Sequence, residues 1–226
     1  MANALLAFRL LPMGIACIFT LGLALPAFLS FEPYSTQEGM GFRLALLALL
    51  GGLVLSMMAI RTCRIVWTTR RTQRAWGKQS QRMYLEGIDL PVYCVENGGS
   101  LLAVTGIFRP RIFVAREITV ALSVQELRAA LAHEIAHVSS FDNVKQFLLR
   151  ITRLPRWMKA YQNLDLEWTS ASEIAADSVA LERASVLDLS SALIKVGRLK
   201  RTFATSDALA SHLVPPTCGS ALEVRI

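Results

Sequence analysis

Histidine is scarce in this sequence, three residues in 226, and two of the three stand four apart in HEIAH, residues 133 to 137. Cysteine is scarce as well. Cys17, Cys63, Cys94 and Cys218 are widely spaced, with no CxxC pair, which excludes a disulfide framework and a thiolate-rich metal knuckle and agrees with a reducing compartment. Acids are missing from residues 61 to 82, where Arg61, Arg64, Arg70, Arg71, Arg74, Lys78 and Arg82 all carry positive charge. No aromatic-interleaved RNA motif and no helix-turn-helix pattern accompanies that stripe, so nucleic acid is not the expected partner. Internal repeats and low-complexity tracts are also lacking, which excludes a solenoid.

What is abundant is apolar residues, 53% of the chain, and their distribution is uneven. From Leu10 to Phe31 there are 22 residues without a charge or a histidine, enough for a helix to cross a hydrocarbon layer of about 30 Å. A second run of 17, Leu44 to Ile60, lies at the short end of the spanning range, with Arg43 and Arg61 placed to snorkel. The first run could be a cleaved signal peptide, since Arg9 precedes it and residues 24 to 27 include small side chains. A second apolar run only 12 residues on fits a helical hairpin better. Lys and Arg beside spans are retained on the cytoplasmic side, so the basic stripe places the N-terminus and everything after Ile60 inside. The connecting loop, with Glu32 and Glu38, becomes the external turn. The stripe beside a span also suits anionic lipid headgroups.

Beyond the stripe, which is expected to continue the second span as an amphipathic helix, LPVYCVEN at 90 to 97 reads as a strand. Residues 101 to 115 offer two more in a hairpin, broken at Arg109 and Pro110, and Pro110 should confine its strand to an edge or a bulge. From Ser123 the period becomes helical, with Ser123 and Glu126 spaced as a capping box. Helices are expected over 124 to 139, 142 to 154 (stopped by Pro155), about 170 to 184 and 187 to 203, followed by a loop-like tail. The fold class is α+β: a two-helix transmembrane hairpin, then a mainly helical domain with a small sheet. The expected division is 1–67 for the hairpin, with spans at about 10–31 and 44–62, and 68–89 for a basic linker. A mainly helical domain occupies 90–205, and 206–226 form a tail that could approach a further span.

On a helix, residues i and i+4 share a face, so His133 and His137 can direct ring nitrogens at one metal ion. Glu134 falls beside them, where a carboxylate can take a proton from an attacking water and deliver it to a leaving amine. Catalytic zinc needs a third protein ligand. His212 lies in a tail rich in proline and small residues with nothing to orient it. Glu173, in TSASEIAADSVALERA, lies among alanines that let two helices approach closely, and is the expected third ligand, one Zn2+ per chain. Asp177, one turn on, is placed to orient a ligand histidine through its other ring nitrogen. Asp142 could cap the next helix or stand behind the metal site in the same way, and capping is the expected role.

The combination of GIFRPRIFVA, AHEIAHVSSFDN and SEIAADSVAL, spread over residues 90 to 185, resembles the BlaR/MecR-type integral-membrane zinc peptidases, gluzincins known from β-lactam sensor-transducers. The HtpX-type membrane peptidases share HExxH and the later glutamate, and GIFRPRIFV favours the first family. The resemblance implies zinc on His133, His137 and Glu173, Glu134 as general base, and a catalytic domain on the cytoplasmic side of a bacterial membrane. Those relatives carry more spans and often a ligand-binding domain, so β-lactam sensing is not implied here. The expected function is a membrane-anchored zinc endopeptidase acting on protein or peptide substrates, with a role in signalling or regulated proteolysis. Its other partners would be membrane lipid and a membrane partner or a second copy of the chain. The alternative is a membrane-anchored sensor or scaffold with a structural zinc, against which the presence of Glu134 argues. Tyr161 as an oxyanion donor, and Arg109 and Arg111 as carboxylate-binding residues, are further candidates.

Overall fold

The structure, a computed structural model, describes residues 2–31, 42–85, 88, 90–96, 98, 101–153 and 158–206. The external turn, Pro155, His212 and the tail after residue 206 lie outside them. The fold is α+β, mostly helical with one four-stranded sheet, and the described residues fall into two compact units. One lies within Met1–Val66 and Phe147–Trp168, the other within Trp67–Gln146 and Thr169–Ile226.

The first unit contains α1 (Ala2–Phe19) and α2 (Leu25–Phe31), joined by one wide π turn over Thr20–Ala24. The turn has a local cause. Pro26 cannot donate a backbone hydrogen bond and its ring crowds the preceding turn, and the helix widens just before it, the Leu25 amide reaching back to the Thr20 carbonyl. After the 32–41 segment comes α3 (Phe42–Lys78), continuous through the second apolar run and most of the basic stripe. Two helical stretches are long and apolar enough to cross a membrane, Ala2–Ala27 and Ala45–Lys78. Their described side chains are mostly exposed, as at Leu21, Leu47 and Leu55. The exception is Arg9, 4% exposed, whose Nε donates to Asp165 Oδ1 at 2.9 Å and whose guanidinium lies 5.1 Å over the Tyr161 ring. A buried cation needs such partners. They come from residues 147–168, and Arg61 adds a 2.6 Å bond to the Arg153 carbonyl.

In the second unit the strands β1 (Ser80–Met83), β2 (Val92–Val95), β3 (Leu102–Thr105) and β4 (Arg111–Ala115) are ordered β1-β2-β4-β3. β1 pairs antiparallel with β2, β2 parallel with β4, and β3 antiparallel with β4 as the expected hairpin. The second span continues as a helix through Trp67 and Trp76 to Lys78 as expected; Gln79 then turns and Ser80–Met83 form a polar edge strand of which Met83 packs on the core. One expectation is corrected. The strand after Pro110 is not an edge strand. β4 is central and buried from Ile112 to Ala115, which is tolerated because Pro110 stands just outside the paired residues and needs no ladder bond.

Ile112 and Val114 point to one face of the sheet, into a core with Leu127 and Leu131 of α5 (Val124–Ser139) and Ala192 and Val196 of α8 (Val186–Ser206). Phe113 points to the other face, against Tyr93 and the edge of Trp76 near the end of α3. Short α4 (Arg116–Ala121) links β4 to α5, which ends at Ser139 as expected. α6 (Asp142–Ile151) stops three residues before its expected end. α7 (Lys159–Ala180) starts 11 residues earlier than expected, so one helix runs from the arginine-binding Asp165 to the acidic pair.

Candidate metal centre

The capping box that starts α5 forms in both directions: Ser123 Oγ accepts from the Glu126 amide at 3.2 Å and Glu126 Oε2 accepts from the Ser123 amide at 2.8 Å. Glu126 also accepts from Ser191 and, at 2.8 Å, from Lys195, both on α8. These bonds hold its carboxyl down at about pH 2 for half-protonation, with the Lys195 contact the largest cause. In sequence, Glu126 at the third helical position shows only the local half of this network. Its consequence is that the start of the histidine helix is tied to α8 as well as to its own cap.

Two turns after Glu126, His133 and His137 direct Nε2 atoms at each other across 3.2 Å. Glu173 of α7 completes the group, with Oε2 3.6 Å from His133 Nε2 and Oε1 3.5 Å from His137 Nε2. The close approach of α5 and α7 depends on small side chains. Ala129 of α5 and Ala180 of α7 are fully buried in one cluster, and Ala176 is also buried, whereas Ala175 faces outward.

The outer nitrogens are also engaged. His133 Nδ1 lies 2.8 Å from Asp177 Oδ1 and His137 Nδ1 lies 2.8 Å from Asp142 Oδ2. Asp142 is 4% exposed and its second oxygen accepts from Lys145 at 3.3 Å, so its carboxylate backs a histidine and its expected capping role gives way to that. His137 Nδ1 is hydrogen-bonded to Asp142, and an imidazole whose Nδ1 proton is held by a carboxylate turns its Nε2 lone pair inward, whereas His133 Nδ1 meets Asp177 as a close ion-pair contact. Two ring nitrogens and a carboxylate converge there, a donor set that suits a cation. The spacing fits zinc: ligand atoms at about 2.0–2.1 Å from a tetrahedral centre stand about 3.3 Å apart. His133, His137 and Glu173, all with ligand atoms within 4.8 Å of one another, could therefore hold a metal ion.

Residues 91–164 match the family model of peptidase family M48. The M48 match spans HEIAH and the sheet strands β2 to β4, and it supports a metallopeptidase, a protease of the hydrolase class. It ends before Glu173 and Asp177, whose placement rests on the geometry alone. M48 metallopeptidases are typically zinc-dependent, in agreement with the donor set. No curated protein and no solved structure gives a match.

Glu134, beside the M48 match's first histidine, is partly buried, and burial pushes its carboxyl up from the ordinary range while the neighbouring imidazoles pull it down. Of the remaining candidates, Tyr161 lies under the Arg9 guanidinium at 5.1 Å and Arg111 reaches over the Tyr93 ring at 5.7 Å.

Proposed function

We propose that this chain is a membrane-anchored zinc endopeptidase that hydrolyses peptide bonds of protein substrates at the cytoplasmic face, with His133, His137 and Glu173 as metal ligands and Glu134 as general base. The observation that carries the proposal is the convergence of three ligand atoms in which each imidazole is backed by its own carboxylate. A metal with no chemistry to do needs no Glu134 beside it.

Zinc held there would supply Lewis-acid polarisation of the scissile carbonyl. The remaining work belongs to the chain. Glu134 takes one proton from the attacking water as its oxygen bonds to the carbonyl carbon, and returns that proton to the amide nitrogen as the C–N bond breaks. Asp177 and Asp142 hold the two rings in the orientation and tautomer that leave Nε2 free. β3 forms one edge of the sheet, so an extended substrate can add to it through main-chain bonds.

The two apolar helices support anchoring, with 1–67 as the hairpin and 90–205 as the catalytic domain. The positive charge of residues 61 to 82 supports cytoplasmic orientation and contact with anionic headgroups. BlaR/MecR-type specificity, a signalling role and a membrane partner or second copy belong to this proposal too. It is tested by zinc content and cleavage of an unfolded protein, using detergent-purified wild type, Glu134→Gln and Glu173→Gln. Wild type should hold one zinc and cut, Glu134→Gln should hold zinc and be inert, and Glu173→Gln should lose zinc. Wild type without zinc would overturn the metal site; wild type with zinc but no cleavage would favour the structural-zinc alternative.

A further inference from the structure

Beside the metal group, on the far side of the turn that carries Asp142, the second unit holds an apolar pocket of about 120 Å³. Ile107, Phe108 and Pro110 from the β3–β4 connection form one wall, and Val138, Phe141 and Val144 the other. Asn143 also lines it, but its Nδ2 is engaged with the Gly106 carbonyl at 2.9 Å. The volume is close to that of an apolar cavity of about 150 Å³ that accepts benzene. It suits one aliphatic or aromatic side chain.

The walls are built at a conformational cost. Phe141 has φ +56°, a left-handed conformation that a bulky side chain rarely adopts, and it stands 70% exposed at the pocket. Gly106 has φ +111°, and a Cβ there would come within 2.4 Å of the Arg109 carbonyl oxygen, so the opposite wall depends on glycine. The Asn143–Gly106 bond ties the two strained turns together.

The pocket is also continuous with the chemistry. Val138 follows the ligand His137, and Phe141 and Asn143 flank Asp142, whose carboxylate holds the His137 ring. On the other side, β3 runs directly into Gly106 and Ile107. A peptide laid along β3 presents alternate side chains to one face, so one that continues past Thr105 would reach the Ile107 wall of this pocket.

From this we infer that the pocket formed by Ile107, Phe108, Pro110, Val138, Phe141 and Val144 is a specificity subsite that takes one apolar side chain of the peptide substrate at a fixed distance from the scissile bond. The inference rests on the peptidase reading and goes beyond it by naming what the enzyme selects.

The test uses the detergent-purified, zinc-loaded full chain carrying Glu134→Gln, so that binding is read without cleavage. The probes are fluorescein-labelled octapeptides of alanine and lysine in which a single leucine is moved from position to position, with binding followed by anisotropy. Leucine at one position should tighten binding about tenfold or more over alanine, the scale expected for burying an aliphatic side chain. Adding Ile107→Trp, which fills the pocket, should abolish that increment, and Val144→Phe should reduce it. Zinc content reports whether each variant is folded, and either one suffices. A gain of similar size wherever the leucine stands would mark a general greasy or lipid-facing patch and overturn the inference, as would an increment that survives in the filled variants. The peptidase reading fails separately. Positional selectivity without cleavage by the Glu134 form leaves the subsite standing and removes the catalysis, whereas cleavage without selectivity does the reverse.

Discussion

The carboxylates behind the two histidines give the sharpest test of the site, because replacing each aspartate by asparagine keeps size and removes only charge and acceptor strength. Asp142 Oδ2 stands 2.8 Å from His137 Nδ1 and Asp177 Oδ1 stands 2.8 Å from His133 Nδ1, with Asp142 almost wholly buried. Asp142→Asn must either turn its NH2 toward Nδ1, forcing the imidazole proton onto Nε2 where the metal should bind, or offer a neutral and weaker acceptor. Partners of this kind are worth about 10–100-fold in metal affinity, or about 1.4–2.7 kcal/mol each. Asp142 should lie toward the upper end, since Asp177 is more exposed and Asp142 is also charge-paired with Lys145 at 3.3 Å. The assay is zinc competition against a chromophoric chelator, with circular dichroism to show that the fold persists. The choice of asparagine is decisive, because Asn caps a helix about as well as Asp. If Asp142 only started α6, Asp142→Asn would bind zinc like wild type. An affinity within twofold of wild type for both single variants would refute the orienting role.

Two further outcomes follow from the packing around α5. The Glu126 carboxyl is held at about pH 2, below its ordinary range, so its contribution to stability is fully present above the ordinary carboxylate value and is lost as pH falls from about 4.5 toward 2. Denaturation of wild type across that window should therefore be steeper in pH than that of Glu126→Gln, and parallel curves would count against the network with Ser191 and Lys195. Ala180→Leu should force α5 and α7 apart where Ala129 and Ala180 are both fully buried, costing about 1–3 kcal/mol and weakening zinc binding with it. Thermal melts and zinc titration report the two effects, and Ala175→Leu on the outward side of the same helix should produce neither.

Much of this protein is carried by local rules. The i, i+4 spacing put His133 and His137 on one face, Ser123 and Glu126 started their helix at the right residue, and the two uncharged runs form helices long and apolar enough to cross a membrane. Glu173 and Asp177 were legible for the same reason, a helical period among small side chains. What local rules could not determine are the choices made between distant segments. Nothing in Arg111–Ala115 says that β4 lies between β2 and β3, since strand order is set by which faces must be covered by α5, α8 and Trp76. Asp142 reads as a cap in sequence and becomes a histidine partner through the turn at the left-handed Phe141, which sets its carboxylate beside His137. The pocket depends on the same turn, and on Gly106 meeting Asn143 across 37 residues. Periodicity and capping act within a few residues and can be read from them; strand order, ring orientation and concavity depend on contacts between segments that the chain brings together only on folding.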